Sequence, residues 1–295
     1  MTYRELDQLS QALGAWFQAQ GLKPGDRVAL MLPNIPQFAV TMAAILRAGY
    51  TCVNVNPLYT ARELEHQLKD SGASAIVILE NFAHTLAEVI EHTQIKHTVL
   101  ASMGDLLGPV YGRWITFAVR HLAKMVPPFE LPLAVRFNEA LSLGRGKPFT
   151  APAIGPDDIA VLQYTGGTTG MPKGVMWRQG DALVECFGGS RFAQTIEDFV
   201  AETKGRMALV APPFMHGAGH WVAFGSWNAG GTVFVPSIPD RLDADDIWSM
   251  VEQEKIDFLL IVGDAFARPL IDQLKVSGKF SKLPGRHAII EQFPF

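Results

Sequence analysis

Tyr164-Thr165-Gly166-Gly167-Thr168-Thr169-Gly170-Met171-Pro172-Lys173-Gly174 stands between two apolar runs. Ahead of it, Ile159-Ala160-Val161-Leu162-Gln163 with Tyr164 reads as a short buried strand, and Val175-Met176-Trp177 resumes an extended pattern after it. From 165 to 174 the chain places four glycines, three threonines and one lysine. Glycine permits positive φ and lets the backbone approach a ligand closely. Consecutive N–H groups in such a turn form an anion-binding concavity, and threonine hydroxyls with the mobile Lys173 ammonium suit a polyphosphate. No Gly-Lys-Ser/Thr ends the loop and no helix follows it directly, which excludes a Walker A loop.

Strands and helices alternate on both sides of this loop. Residues 3–20 place Leu6, Leu9, Leu13, Trp16 and Phe17 on one helical face, stopped by Gly21 and Pro24-Gly25. Then come a strand at 27–32, a helix at 36–47, a strand at 51–55 and a helix at 61–71. A strand at 75–79, a helix at 83–92 and a strand at 97–101 follow. Beyond the loop, helices are expected at 181–187, 217–227, 244–254 and 264–275, with strands at 206–211, 232–235 and 257–262. This alternation indicates an α/β fold with a parallel sheet and subregions of about 1–150 and 151–275.

Hydrophobic residues make up 48% and charged ones 18%, a globular composition. A net charge of −4 argues against a general nucleic-acid binder. Cys52 and Cys186 are too few for a disulfide framework, and the chain starts directly in a helical pattern, so a cytoplasmic location is expected.

The alternation breaks at 103–148, where Pro127-Pro128, Pro132 and Gly144-Arg145-Gly146 read as loop-rich. Within it, 111–126 is an amphipathic helix. Its apolar face carries Tyr111, Trp114, Ile115, Ala118, Val119, Leu122, Met125 and Val126, with Arg113, Arg120 and Lys124 opposite. Two readings stay open: a surface helix packed on its own core with a solvated basic side, or peripheral contact with the inner face of a membrane.

Phe214-Met215-His216-Gly217 follows a strand end, where α/β sheets bind ligands. His216 and His220 are spaced i, i+4, but no third ligand accompanies them and no metal site is assigned. A helix-start residue bonded to backbone is an alternative reading of His216. Gly263 lies at a second strand end, and Asp264 is readable as an N-cap.

The string YTGGTTGMPKG resembles the phosphate-binding signature of the adenylate-forming superfamily, which includes acyl-CoA synthetases. The resemblance implies that Thr165, Gly166, Gly167, Thr168, Thr169, Gly170 and Lys173 hold ATP phosphates, with Lys173 and Thr169 serving catalysis. Phe214, Met215, His216 and Gly263 would line the acyl and adenylate pocket. The substrates implied are ATP, coenzyme A and a fatty acid or related carboxylate, with Mg²⁺ on the phosphates. Two rivals are an adenylating enzyme that loads a carrier protein and a non-catalytic nucleotide- or acyl-binding fragment.

Up to Gly170, segments such as Pro33-Asn34-Ile35-Pro36-Gln37 and Val53-Asn54-Val55-Asn56-Pro57 resemble a bacterial long-chain fatty-acyl-CoA ligase. From Met171, the strings MPKGVMWRQGD, PPFMHGAGHW and VGDAFARPL are similar to another acyl-CoA synthetase branch, whose substrates include steroid-derived acids. A chimera and a lineage that mixes the two remain open. The resemblance covers about half of a full ligase. It lacks the family's Mg²⁺ glutamate and C-terminal lid lysine, so weak or absent turnover is expected. Residues 276–295 resemble nothing familiar.

Overall fold

The segments 27–31, 51–54 and 75–79 are apolar runs with little polar alternation, the pattern of strands covered on both faces. They form β1 (Arg27–Met31), β2 (Thr51–Asn54) and β3 (Ala75–Leu79), and every residue after Arg27 in these strands is buried. The remaining strands of the sheet are β4 (His97–Ala101), β5 (Val135–Arg136), β6 (Ile159–Thr165) and β7 (Lys173–Arg178). In the computed structural model, which describes residues 1–165, 172–188, 195, 197–198, 201, 204–237 and 241–277, their order is β5-β4-β3-β1-β2-β6-β7. All neighbours are parallel except β6 and β7, which form an antiparallel hairpin.

Alternate residues of each strand serve opposite faces. Ala29, Met31, Val53, Ile76 and Ile78 meet Leu64 and Leu68 of α3 (Ala61–Ser71) and Leu86 of α4 (Ala83–Ala87). On the other face lie α1 (Tyr3–Ala19), α2 (Pro36–Arg47) and α6 (Phe137–Arg145), with α1 packed on both of the others. Capping boxes start two of these helices, Thr2 with Glu5 for α1 and Thr60 with Glu63 for α3. Pro36, already fixed near helical φ, opens α2.

Three expectations need correction. The single helix at 83–92 is instead α4 between two 3₁₀ turns, Glu80–Phe82 and Ile90–His92. The loop-rich stretch contains α6, whose Phe137, Ala140, Leu141 and Gly144 repeat at i, i+3, i+4, i+7 and are all buried. Gly144 is therefore a packing residue, since a Cβ there would overlap the carbonyl of Ala12 in α1. Gly144→Ala is expected to lower stability by about 2 kcal/mol, because backbone cannot swing aside as a side chain can. Urea unfolding measures this.

The third correction concerns 111–126. It is α5 (Tyr111–Phe117) followed by a π-helical turn, Ala118–Leu122. Its apolar residues are largely exposed, while Arg120 turns inward onto buried Glu80. Neither a core-packed apolar face nor a fully solvated basic side is present.

The chain forms two compact units, Met1–Asp181 and Ala182–Phe295. Because β6 pairs with β2 and β7 with β6, residues 159–178 belong to the first sheet, past the subregion limit of about 150. The second unit has a parallel sheet β10-β8-β9, built from β8 (Met207–Val210), β9 (Thr232–Phe234) and β10 (Phe258–Leu260). Helix α7 (Gln179–Gly188) spans the boundary. Then follow α8 (Gly217–Asn228), α9 (Ala244–Gln253) and α10 (Gly263–Ser277). Leu209 and Leu259 pack against Ile247, Trp248 and Val251 of α9 and Leu270 and Leu274 of α10.

Candidate active site

Thr165 ends β6 and Lys173 begins β7, and the two are ladder partners. Partners across an antiparallel pair lie about 5 Å apart at Cα, so the hairpin pins both ends of the glycine-rich loop together. Thr165 and Lys173 are exposed there. Gly166, Gly167, Thr168, Thr169 and Gly170, with Met171, lie outside the described residues.

One step down the ladder, Tyr164 opposes Gly174. A Cβ on Gly174 would stand 3.1 Å from the Tyr164 ring, so this glycine seats an aromatic side chain within β7. The Tyr164 hydroxyl donates to Asp70 Oδ2 at 2.6 Å, at the end of α3. Burial and Asp70 both hold the phenol well above its ordinary pKa. Arg27 Nη1 donates to the carbonyl of Ser71 at 2.5 Å, tying the same helix end to β1. At the foot of the hairpin, Arg178 bonds Asp157 at 2.9 Å and chelates Asp181 at 2.8 and 3.0 Å. Nothing in the one-dimensional pattern marked Asp70, which sits 94 residues from Tyr164. Tyr164→Phe should cost about 1 kcal/mol. In an Asp70→Ala background it should cost much less, a coupling that a double-mutant cycle reads.

In the second unit, β8 and β10 are adjacent and parallel, with Val210 beside Leu260. Their carboxyl ends therefore open on one edge, the usual ligand position of α/β sheets. Phe214, Met215 and His216 follow β8, and Gly263 follows β10. Phe214 and Met215 are buried, and Phe214 meets Trp227 edge-on at 5.7 Å. His216 is exposed in extended conformation immediately before α8, and its side chain makes no capping bond. Partial desolvation lowers its pKa. Gly263 has φ +66° and no atom within 4 Å of a Cβ position. Asp264 lies inside the first turn of α10, not before it.

His220 stands apart chemically. It is buried, its Nδ1 is 3.2 Å from the Phe214 carbonyl, and its ring stacks on Phe224 at 5.1 Å. Desolvation pushes its pKa down to about 4. It is thus a neutral scaffold residue behind the Phe214–His216 turn. Gly219 lets α8 press on that turn, since a Cβ would stand 2.9 Å from the carbonyl of Pro212. Among the described residues no group of three or more His, Cys, Asp or Glu is placed to hold a metal. Cys52 and Cys186 are free and buried, with burial raising both thiols, Cys186 to about 12.

Comparison with known proteins agrees with this architecture. A long-chain-fatty-acid–CoA ligase of Escherichia coli O157:H7 is 52% identical over 177 residues, 60% of this chain and 32% of that relative. A medium/long-chain-fatty-acid–CoA/3-oxocholest-4-en-26-oate–CoA ligase of Mycolicibacterium smegmatis is 32% identical over 282 residues, 93% of this chain and 47% of its own length. The chain thus spans 32% and 47% of the lengths of these relatives, and the higher identity belongs to the shorter match. The crystal structure of a long-chain-fatty-acid–CoA ligase from Archaeoglobus fulgidus superimposes with a TM-score of 0.70 at 21% identity, covering 94% of this chain and 47% of that one. At that identity the likeness is one of fold. The AMP-binding enzyme family matches residues 1–285, and the chain belongs to it.

Proposed function

We propose that this chain carries the nucleotide-binding part of an acid–thiol ligase that activates a fatty acid or related carboxylate with ATP. The observation that carries the reading is the hairpin. It holds Lys173 opposite Thr165 at the mouth of a loop with three further glycines and two further threonines. In the first step a carboxylate oxygen attacks the α-phosphorus of ATP. The bond to the β-phosphate oxygen breaks, giving an acyl-adenylate and pyrophosphate. In the second, the coenzyme A thiolate attacks the acyl carbon, and AMP leaves with the bonding pair.

Such chemistry depends on positioning and on charge stabilisation at phosphate oxygens. Lys173 and the hydroxyls of Thr165, Thr168 and Thr169 would meet the β- and γ-phosphates, with the amides of Gly166, Gly167 and Gly170. Mg²⁺ would accompany ATP as its counter-ion. The edge carrying Phe214, Met215, His216 and Gly263 would receive the acyl group, with Gly263 leaving room beside it. A cytoplasmic setting suits two free thiols.

Pyrophosphate release with palmitate and ATP tests the first step, and coenzyme A consumption tests the second. Pyrophosphate without coenzyme A consumption would favour transfer to a carrier protein. ATP binding with neither product would favour a binding fragment.

A further inference from the structure

Segment 111–126 is amphipathic, yet its apolar side faces outward. Tyr111, Trp114, Phe117, Leu122 and Met125 are each more than half exposed. The rings of Trp114 and Phe117 lie 6.3 Å apart, and His121 extends the row 5.0 Å beyond Phe117.

The opposite stripe explains this orientation. Gly112 is buried where its backbone abuts that of Gly104, and Thr116, one turn on, is half-buried beside it. Arg120, two turns on from Gly112, grips Glu80, which follows the carboxyl end of β3 and is only 1% exposed. Its Nε stands 3.0 Å from Oε1 and its Nη2 2.5 Å from Oε2, while Arg136 adds Nη1 at 2.7 Å. A buried carboxylate is costly without such partners. Rolling the apolar stripe inward would strip Arg120 from Glu80, so the fold presents the stripe to the outside. A contiguous exposed apolar row of this kind marks an interaction surface.

Charge selects the occupant. Residues 106–128 contain no Asp or Glu, and Arg113 and Lys124 are exposed beside the aromatic row. A cavity of about 700 Å³ flanks the row, lined by Arg113, Arg120, Arg136 and Asp105 among others. With Glu80 beneath, three guanidiniums there face two carboxylates. Aromatic rings with polar edges, an aliphatic Leu and Met, and flanking cations form the profile of a segment lying in a lipid interface. No described helix is long and apolar enough to cross a membrane, so the contact is in-plane. We infer that segment 111–126 docks on the surface of an anionic phospholipid bilayer, with the aromatic row at the acyl boundary and Arg113 and Lys124 on headgroup phosphates.

Co-sedimentation of the full chain with vesicles of phosphatidylglycerol and phosphatidylcholine tests this. The chain should bind, and salt should weaken binding. Removing two aromatic anchors in Trp114→Ser with Phe117→Ser should lower partitioning by about tenfold or more. Arg113→Glu with Lys124→Glu should abolish the preference over pure phosphatidylcholine. Circular dichroism checks that the exposed substitutions leave the fold intact. As a second measurement, brominated lipid should quench a component of the tryptophan emission that Trp114→Phe removes while still binding. Absence of binding, binding unchanged in both double variants, or quenching unchanged in Trp114→Phe overturns the proposal. A concentration-dependent dimer lost in the aromatic variant, without vesicle binding, would assign the face to a second copy of the chain and overturn it equally.

Discussion

Lys173→Ala is expected to weaken ATP binding by roughly ten- to a hundredfold, the equivalent of one charge-assisted hydrogen bond of about 1.5–3 kcal/mol. The reason is placement. Lys173 is the first residue of β7 and the ladder partner of Thr165, so its backbone is held by the sheet while its exposed side chain projects at the loop mouth. A lysine there can follow a phosphate through its rotamers without disturbing the hairpin, whose stem is secured by Tyr164 on Gly174 and Arg178 on Asp181. Lys173→Arg keeps the charge and should recover part of the affinity. Titration calorimetry with ATP measures both variants, and circular dichroism verifies that the stem survives. Undiminished affinity in Lys173→Ala would remove this residue from the phosphate site.

Acidification should destabilise the second unit through His220. Its folded pKa is about 4, below the ordinary value of 6.5, because burial penalises the imidazolium. Between these values the unfolded chain binds more protons than the folded one, so stability rises with pH there. The contribution is complete above about 6.5, is lost as the pH falls, and levels off below about 4. The full amplitude is about 3 kcal/mol, since each tenfold loss of proton affinity is worth about 1.4 kcal/mol. His220→Phe preserves an aromatic surface against Phe224 and should flatten this component of the profile. Urea unfolding at pH 7 and pH 4.5 in both proteins provides the comparison. A wild-type slope that persists in His220→Phe would mean that other groups carry it.

Local periodicity made much of the architecture readable. The runs at 27–31, 51–54 and 75–79 are mainly apolar without strict alternation, the composition that strands buried on both faces need wherever they sit. The helix expected at 61–71 forms as α3, and the structure adds that Thr60 and Glu63 cap its start and that Gly72, at φ +62°, ends it. The glycines and Lys173 pointed in the sequence to a phosphate loop, because backbone conformation limits which residues can line one, and the ATP titration of Lys173→Ala tests that reading.

Other features were hidden because they depend on what lies across a gap. Gly144 looked like a loop glycine until α1 was placed against it. Gly174 looked like part of the loop, but the neighbouring strand brings Tyr164 over it. His216 and His220 share a spacing yet differ in environment, since Phe214, Trp221 and Phe224 surround only His220.

By itself the sequence determined the α/β alternation, because that is a property of residues near one another in the chain, and for the same reason it pointed to a phosphate-binding role for the glycine- and threonine-rich loop. It also showed that 111–126 has two faces. Which of them points outward was decided only in three dimensions, by a buried carboxylate at the end of β3 that the guanidinium of Arg120 grips together with that of Arg136.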